Sequence, residues 1–182
     1  MMNVLAYGLL SLLTRGPQSG YDLMNKLNFF WPVSHSQIYP TLAKLENQNL
    51  VSYELVQQTD KPDKKVYSLT DEGLAMLKKW LVEPVSERVV KDEAMLKLFC
   101  VHISDASVAL HLLRSQMEMY EAKRRKYTDK LEKLRERYGG DLRSLTFGSE
   151  DFGIRLMLQK ALMASETNIE WCKWAITLLE EG

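Results

Sequence analysis

The stretch from residue 34 to residue 51 constrains the fold of this chain most, because a helical pattern passes directly into a strand pattern there. Ile38, Leu42 and Leu45 recur at positions i, i+4 and i+7, which is the spacing of one buried helical face. From residue 51 to residue 55, apolar and polar side chains alternate as they do in a half-buried strand. The sequence therefore predicts a short helix that runs straight into a β-hairpin.

Apolar patterns and capping residues predict further helices on both sides of this unit. Residues 3–14 form a short apolar helix, and Ser19 caps a second helix. The return strand of the hairpin covers residues 66–69, and Thr70 then caps a fourth helix. The predicted order is helix, helix, helix, strand, wing, strand, helix, which is the winged form of the helix-turn-helix.

The third helix carries small and polar side chains opposite its apolar stripe, where a surface helix more often carries several Glu and Lys. Side chains of this kind can meet base edges in the major groove of DNA. We therefore interpret the segment as a recognition helix, and a plain structural helix remains the alternative. Gln37 also occupies the capping-box position relative to Ser34. The residues predicted to face the groove are Ser36, Gln37, Tyr39 and Thr41.

The hairpin tip supplies cations for a second contact with DNA. Three lysines lie within the turn-rich segment 59–65, where they would hold phosphates. Charged hairpin tips are common on proteins, so this tip is informative only together with the helix before it. The predicted DNA-binding residues are Tyr21, His35, Ser36, Gln37, Tyr39, Thr41, Lys44, Lys61, Lys64 and Lys65.

The charge balance argues against simple nucleic-acid binding. The formal net charge is zero, whereas phosphate neutralisation requires cations. Any affinity for DNA must therefore come from where the charges lie. The two cysteines give no disulfide framework and suit a reducing compartment. We find no signal peptide and no stretch that would span a bilayer, so we expect a cytoplasmic protein without membrane contact.

The second half of the chain is predicted to be helical throughout. Residues 83–91 form a linker, a short helix follows over 92–102, and a long helix runs from Ser104 to Tyr138. A helix of about 34 residues is roughly 50 Å long, and its heptad stripe calls for a partner helix. A last helix begins at Ser149 and has apolar residues on more than one face. We interpret these helices as a dimerisation arm, with a coiled-coil stalk or adaptor as the alternative. The predicted dimer contacts are Leu110, Leu113, Met117, Tyr120, Tyr127, Leu131, Met157, Trp171 and Trp174.

Catalytic, metal and cofactor sites find no support in the sequence. Cys100 and His102 are two residues apart, which is not a metal-ligand spacing, and no close Cys/His pair completes a site. There is no phosphate loop and no nucleophile elbow. The chain is therefore predicted not to be an enzyme. A small aromatic effector stays open, because Met157, Met163 and two tryptophans could line a cavity, although such residues are more often core or interface.

The segment 38–46 reads Ile-Tyr-Pro-Thr-Leu-Ala-Lys-Leu-Glu and is the most specific stretch of the first half of the chain. It is accompanied by Leu9-Leu10, Gly16-Pro17, Ser19-Gly20-Tyr21-Asp22-Leu23, Leu50-Val51, Val66-Tyr67-Ser68-Leu69-Thr70 and Gly73. In these residues the first half of the chain resembles the PadR family of bacterial transcriptional regulators. The second half is similar in size and helical content to the longer C-terminal domain of one subgroup.

This resemblance implies a homodimeric DNA-binding regulator, usually a repressor, whose C-terminal helices build the dimer together with the first helix of the partner. The family's recognition tyrosine corresponds to Tyr39, its polar reader to Gln37, and its wing cations to Lys64 and Lys65. Asn49 stands where the family usually has glycine. Some members sense phenolic acids, but no residue set here carries that property over.

The sequence thus predicts a mainly α protein in two parts. Residues 1–82 form a winged helix-turn-helix domain with a two-stranded wing, 83–91 a linker, and 92–182 an all-helical dimerisation domain. The predicted function is sequence-specific regulation of transcription by a homodimer on a palindromic operator in double-stranded DNA. The alternative is a helical interaction adaptor that does not bind DNA.

Overall fold

The structure, a computed structural model, describes residues 2–28, 31–57, 63–85 and 91–181. The chain divides into two compact units, Met1–Glu87 and Arg88–Gly182. The division falls within the segment that the sequence predicts as a linker.

The first unit contains four helices and three strands among its described residues, in the order helix, strand, two helices, two strands, helix. The strands, β1 Gln18–Ser19, β2 Val51–Val56 and β3 Lys64–Leu69, form one antiparallel sheet of order β1-β3-β2. The sequence predicted only the two strands of the hairpin, because β1 is too short to show an alternating pattern. The elements are α1 Val4–Leu13, β1 Gln18–Ser19, α2 Gly20–Leu27, α3 His35–Asn47, β2 Val51–Val56, β3 Lys64–Leu69 and α4 Asp71–Leu81.

The core of the first unit lies between its helices and one face of the sheet. The predicted stripe of α3 is confirmed, since Ile38, Leu42 and Leu45 are fully buried. They meet leucines of α1 and α2, and each fully buried leucine contributes about 1.5–3 kcal/mol of hydrophobic free energy. Tyr7 of α1 stacks on Trp80 of α4 with ring centroids 4.5 Å apart. The core thereby fixes α3 with its opposite face outward.

The turn between α3 and β2 uses a left-handed residue. The N–H of Leu50 donates to the carbonyl of Leu45 and that of Asn49 to the carbonyl of Glu46, both at 2.9 Å. This pattern is a Schellman cap, which requires positive φ at the residue after the C-cap. Asn49 has φ 55°. Asparagine tolerates this conformation better than most residues, which explains how the turn persists without glycine.

We expect Asn49→Ala to lower the free energy of unfolding of the first unit by about 1 kcal/mol, because alanine has no local polar group to offset the left-handed strain. Asn49→Gly should leave the stability unchanged or raise it slightly. Urea denaturation of the two variants beside the wild type measures the difference. Equal stability of the alanine and glycine variants would contradict a left-handed residue at this position.

The second unit is a pair of long antiparallel helices with a short helix before them. The two long helices, α6 Ala106–Arg137 and α7 Phe152–Glu181, pack against each other along their length. The side chains buried between them include Leu113, Leu134, Leu158 and Ile169. α7 buries Leu113 and Leu134 of the predicted stripe of α6, whereas the other apolar stripe residues remain half-buried, so their contact with a partner helix stays a prediction. The elements are α5 Glu93–Phe99, α6 Ala106–Arg137 and α7 Phe152–Glu181, with short 3-10 turns at Val101–Ile103 and Leu142–Ser144.

None of the helices in the described ranges is long and apolar enough to cross a membrane. Within those same ranges, no group of three or more His, Cys, Asp or Glu side chains is arranged to hold a metal ion. Cys100 is exposed and Cys172 is buried, and both are free thiols.

Candidate nucleic-acid interface

The polar face of α3 lies on the surface of the first unit. His35, Ser36, Gln37, Tyr39 and Lys44 are all exposed. The ring of Tyr39 is 45% exposed and lies nearly parallel to that of His35, with centroids 5.9 Å apart and an interplanar angle of 14°. The start of α3 therefore presents a row of polar and aromatic groups.

A concave surface joins this row to the wing. We call it the α2–wing groove; it encloses about 510 Å³ between the start of α2, Tyr39 and β3. Tyr21 extends from the first turn of α2, and Lys64 begins β3. Both side chains are exposed at the groove. The residues that line the groove are Ser19, Gly20, Tyr21, Asp22, Tyr39, Asp63, Lys64, Lys65 and Tyr67.

Lys65 is bound within the unit, unlike its neighbour. Its Nζ lies 3.6 Å from the ring centroid of Tyr53 and 3.3 Å from Oε2 of Glu46. Burial lowers the pKa of Lys65, but hydrogen bonds to Tyr53 and Glu46 outweigh this effect and raise the pKa above its ordinary value. A phosphate would have to compete with the Glu46 carboxylate for this ammonium group. Lys65 therefore connects β3 to α3 through its ion pair with Glu46.

Of the predicted DNA-binding residues that the structure describes, four line the α2–wing groove, Tyr21, Tyr39, Lys64 and Lys65, and five do not, His35, Ser36, Gln37, Thr41 and Lys44. Lys44 lines a separate groove between α1 and α3, together with Met2 and Asn3. Lys61 lies outside the described residues.

The assignment of Thr41 to the groove-facing side of α3 is wrong. Its side chain is only 7% exposed, and its hydroxyl donates to the carbonyl of Gln37 at 2.7 Å. The spacing contained the signal, because Thr41 follows Ile38 by three residues and so belongs to the same helical face as Leu42 and Leu45. A hydroxyl that bonds to its own helix can be buried on that face without an unpaired polar group.

Gln37 caps its own helix and has only part of its amide left for DNA. Its Oε1 accepts a hydrogen bond from the backbone N–H of Ser34 at 3.0 Å and one from the Ser34 hydroxyl at 3.2 Å. This confirms the predicted capping box. The remaining Nε2 group can only donate. It can meet an acceptor such as O6 of guanine or O4 of thymine, but it cannot form the bidentate pair with adenine.

Each half of the chain matches the model of a known protein family. The model of the transcriptional regulator PadR-like family matches residues 9–79, and that of the virulence activator alpha C-terminal domain matches residues 90–180. The negative transcriptional regulator PadR of Bacillus subtilis (strain 168) is 34% identical over 186 residues, which cover 99% of this chain and 100% of that protein. The chain belongs to the PadR-like family of transcriptional regulators.

Solved structures of a PadR protein confirm the fold of this family member. The crystal structure of Bacillus subtilis PadR in complex with operator DNA matches with a TM-score of 0.83 at 34% identity, and it covers 97% of this chain and 99% of that one. The structure of the same protein in complex with p-coumaric acid matches with a TM-score of 0.79 at 33% identity, covering 98% and 99%. The predicted winged helix-turn-helix with an all-helical C-terminal domain is therefore correct.

Membership of the PadR-like family also decides the broad function. The protein is a DNA-binding transcriptional regulator, as the sequence predicted, and the reading as an adaptor that does not bind DNA loses its support.

The dimer contacts predicted for this PadR-family chain differ in what they can offer a partner. Leu113 is buried against α7 within its own unit, so it is not accessible to a partner. Trp174 is 61% exposed, and Met157 is also exposed, so these two side chains are free to meet another surface. The remaining members of the set are half-buried: Leu110, Met117, Tyr120, Tyr127, Leu131 and Trp171.

An apolar stripe at the start of the second unit is not among the site residues predicted from the sequence. Leu96, Phe99 and Ile103 are all exposed, and Phe99 reaches 79% exposure. Leu96 and Phe99 are three residues apart on α5 and so share one helical face, whereas Ile103 lies in the 3-10 turn that follows. A helix of only seven residues gives too short a pattern to predict such a face from the sequence.

Proposed function

We propose that this protein is a repressor that binds operator DNA as a homodimer. The observation that carries the proposal is the α2–wing groove, where Tyr39 of α3, Tyr21 of α2 and Lys64 of the wing meet on one concave surface. A recognition helix and a wing that flank one groove can contact bases and phosphates at the same time. The complex of Bacillus subtilis PadR with operator DNA supports the same use of the fold.

We assign base contacts to the start of α3 and phosphate contacts to its neighbours. Ser36, Gln37 and Tyr39 are exposed there and carry polar tips. Tyr21 and Lys64 would contact phosphates of the DNA backbone, since a phenol can donate a hydrogen bond to a phosphate and an ammonium group can neutralise its charge. His35 would support Tyr39 through their stacked rings.

Each first unit supplies few cations for DNA binding, and a homodimer would double their number. Because affinity for DNA rises with the number of neutralised phosphates, two copies on a palindrome double that contribution. We propose that residues 92–182 form the dimer, through the exposed Met157, Trp174 and the stripe of Leu96, Phe99 and Ile103. Residues 1–82 would then be the DNA-binding domain, with half-sites about one helical turn apart or a multiple of it.

Regulation by a small aromatic carboxylic acid is part of the proposal. The complex of Bacillus subtilis PadR with p-coumaric acid supports this ligand class. Such a ligand would act by binding better to one arrangement of the dimer than to the other. As a transcriptional regulator, the protein would act on DNA in the cytoplasm. It would not catalyse a reaction of its own.

The proposal is tested by fluorescence anisotropy with a duplex from the promoter upstream of the chain's own gene. We expect two chains to bind each duplex, and we expect the logarithm of the affinity to fall linearly with the logarithm of the salt concentration. A scrambled duplex of equal length and composition should bind at least a thousandfold more weakly, which is the usual gap between specific and non-specific sites.

Binding of one chain per duplex would contradict the dimer. Equal affinity for the scrambled duplex would contradict sequence-specific recognition. Absence of any salt-sensitive binding, on this promoter and on duplexes selected from genomic fragments, would return the protein to the class of interaction adaptors.

A further inference from the structure

Gly20 begins α2 directly after the capping residue Ser19 and lies beneath the ring of Tyr39. A Cβ atom at Gly20 would lie 2.9 Å from Cε1 of Tyr39 and 3.4 Å from Cζ. It would also lie 3.3 Å from Cδ1 of Leu42. Real Cβ contacts are not as short as the first of these distances. The Tyr39 ring therefore occupies space that is open only because residue 20 has no side chain.

The backbone gives no other reason for a glycine at this position. Among the described glycines, positive φ values occur at residues 16, 139, 140 and 148, and not at Gly20. Any L-residue can adopt the helical conformation at the start of α2, and alanine favours a helix more than glycine does. A glycine that is not needed for φ is commonly explained by the close approach of another group, and here that group is the Tyr39 ring.

The ring of Tyr39 is held from two directions. Gly20 supports it from the start of α2, and the ring of His35 lies nearly parallel to it from one turn earlier in α3. This arrangement directs an exposed aromatic side chain toward the α2–wing groove, which Gly20 and Tyr39 both line. An exposed tyrosine that lacked such supports would sample several rotamers.

We infer that Gly20 is a positioning residue for DNA recognition, because the space that it leaves empty fixes the Tyr39 ring at the groove. The inference rests on the proposed function, in which Tyr39 contacts DNA. A methyl group at residue 20 would push the ring away. Since the ring is half-exposed and can swing toward solvent, this displacement costs the fold little. DNA binding would lose a pre-positioned contact while the domain stays folded.

A double-mutant cycle of Gly20→Ala, Tyr39→Ala and the double variant tests the inference through operator affinity. Loss of one neutral polar contact amounts to about fivefold per half-site, or roughly 25-fold for a dimer on two half-sites. We expect Gly20→Ala to approach this loss, and to have no further effect once Tyr39 is alanine. The thermal midpoint of Gly20→Ala should stay close to that of the wild type, because the higher helix propensity of alanine offsets the tight contact with Cδ1 of Leu42.

Gly153→Ala serves as the matched control, because a Cβ there would meet nothing within 4 Å and the residue belongs to α7. Its affinity for the operator should equal that of the wild type. If Tyr39→Ala weakens binding and Gly20→Ala does not, the inference is wrong and the proposed function stands. Additive losses in the double variant would also overturn it, because Gly20 would then act by a route that does not involve Tyr39. If the wild type does not bind DNA, the proposed function is wrong, and the role of Gly20 in DNA recognition is wrong with it.

Discussion

Replacing Gly73 by alanine is expected to lower the free energy of unfolding of the first unit by about 3 kcal/mol or more. Gly73 lies in the first turn of α4, and a Cβ there would clash with the carbonyl oxygen of Leu50 and come within 2.8 Å of Cδ1 of Leu69. The first of these atoms belongs to the backbone and cannot rotate away. The turn between α3 and β2 or the start of α4 must therefore move.

Neither of these segments is free to move, because hydrogen bonds tie them together. The hydroxyl of Thr70 donates to the carbonyl of Asn49 at 2.7 Å and accepts from the N–H of Gly73 at 3.0 Å. The N–H of Thr70 also donates to the Leu50 carbonyl, at 3.3 Å. Domains of this size are stable by only about 5–15 kcal/mol, so the expected loss is a large share of the total.

Thermal unfolding followed by circular dichroism measures the effect of Gly73→Ala, and operator binding should fall in proportion to the unfolded fraction. Gly8→Ala is the graded comparison within the same unit, since its Cβ would meet only a methyl carbon of Leu27, at 3.2 Å. The Gly8 variant should lose much less stability. If the two variants were equally stable, the close approach of α4 to the Leu50 carbonyl would be refuted.

The elements that the sequence predicted well are those determined by neighbours in the chain. Ser19, Ser34 and Thr70 were predicted as helix caps, and each is the N-cap residue of its helix. Capping and helical periodicity involve residues one to four positions apart, so a single sequence contains the whole signal. The predicted long helix from residue 104 to 138 agrees for the same reason with α6, Ala106–Arg137.

The features that the sequence could not reveal depend on contacts between distant residues. Lys65 and Glu46 are 19 positions apart, and nothing local indicates that this lysine is paired while Lys64 is exposed. The apolar stripe of α6 predicts that another helix covers it, but it does not indicate whether that helix is α7 or belongs to a second copy of the chain. In the same way, β1 exists only because β3 lies beside it.

Lys64→Gln is expected to weaken operator binding about 60-fold at 0.1 M salt. Each neutralised phosphate contributes roughly 0.9 to the slope of log affinity against log salt, and a homodimer would lose two such contacts. The slope should therefore become shallower by about 1.8. Lys64 is exposed beside the α2–wing groove, so its removal should leave the fold intact. Anisotropy titrations between 0.05 and about 0.3 M salt, a range in which this term dominates, give both quantities.

Lys65→Gln should behave differently, although it removes the same charge from the adjacent residue. Its ammonium group lies 3.3 Å from the Glu46 carboxylate and over the ring of Tyr53, so it releases few counterions when DNA binds. We expect an unchanged salt slope with a weaker affinity at every salt concentration, because the wing is less firmly held against α3. Lys78→Gln, in the last turn of α4, controls for the loss of one positive charge. If Lys65→Gln flattened the salt dependence as much as Lys64→Gln, the ammonium of Lys65 would leave Glu46 for a phosphate in the complex, and its assignment to the fold would be wrong.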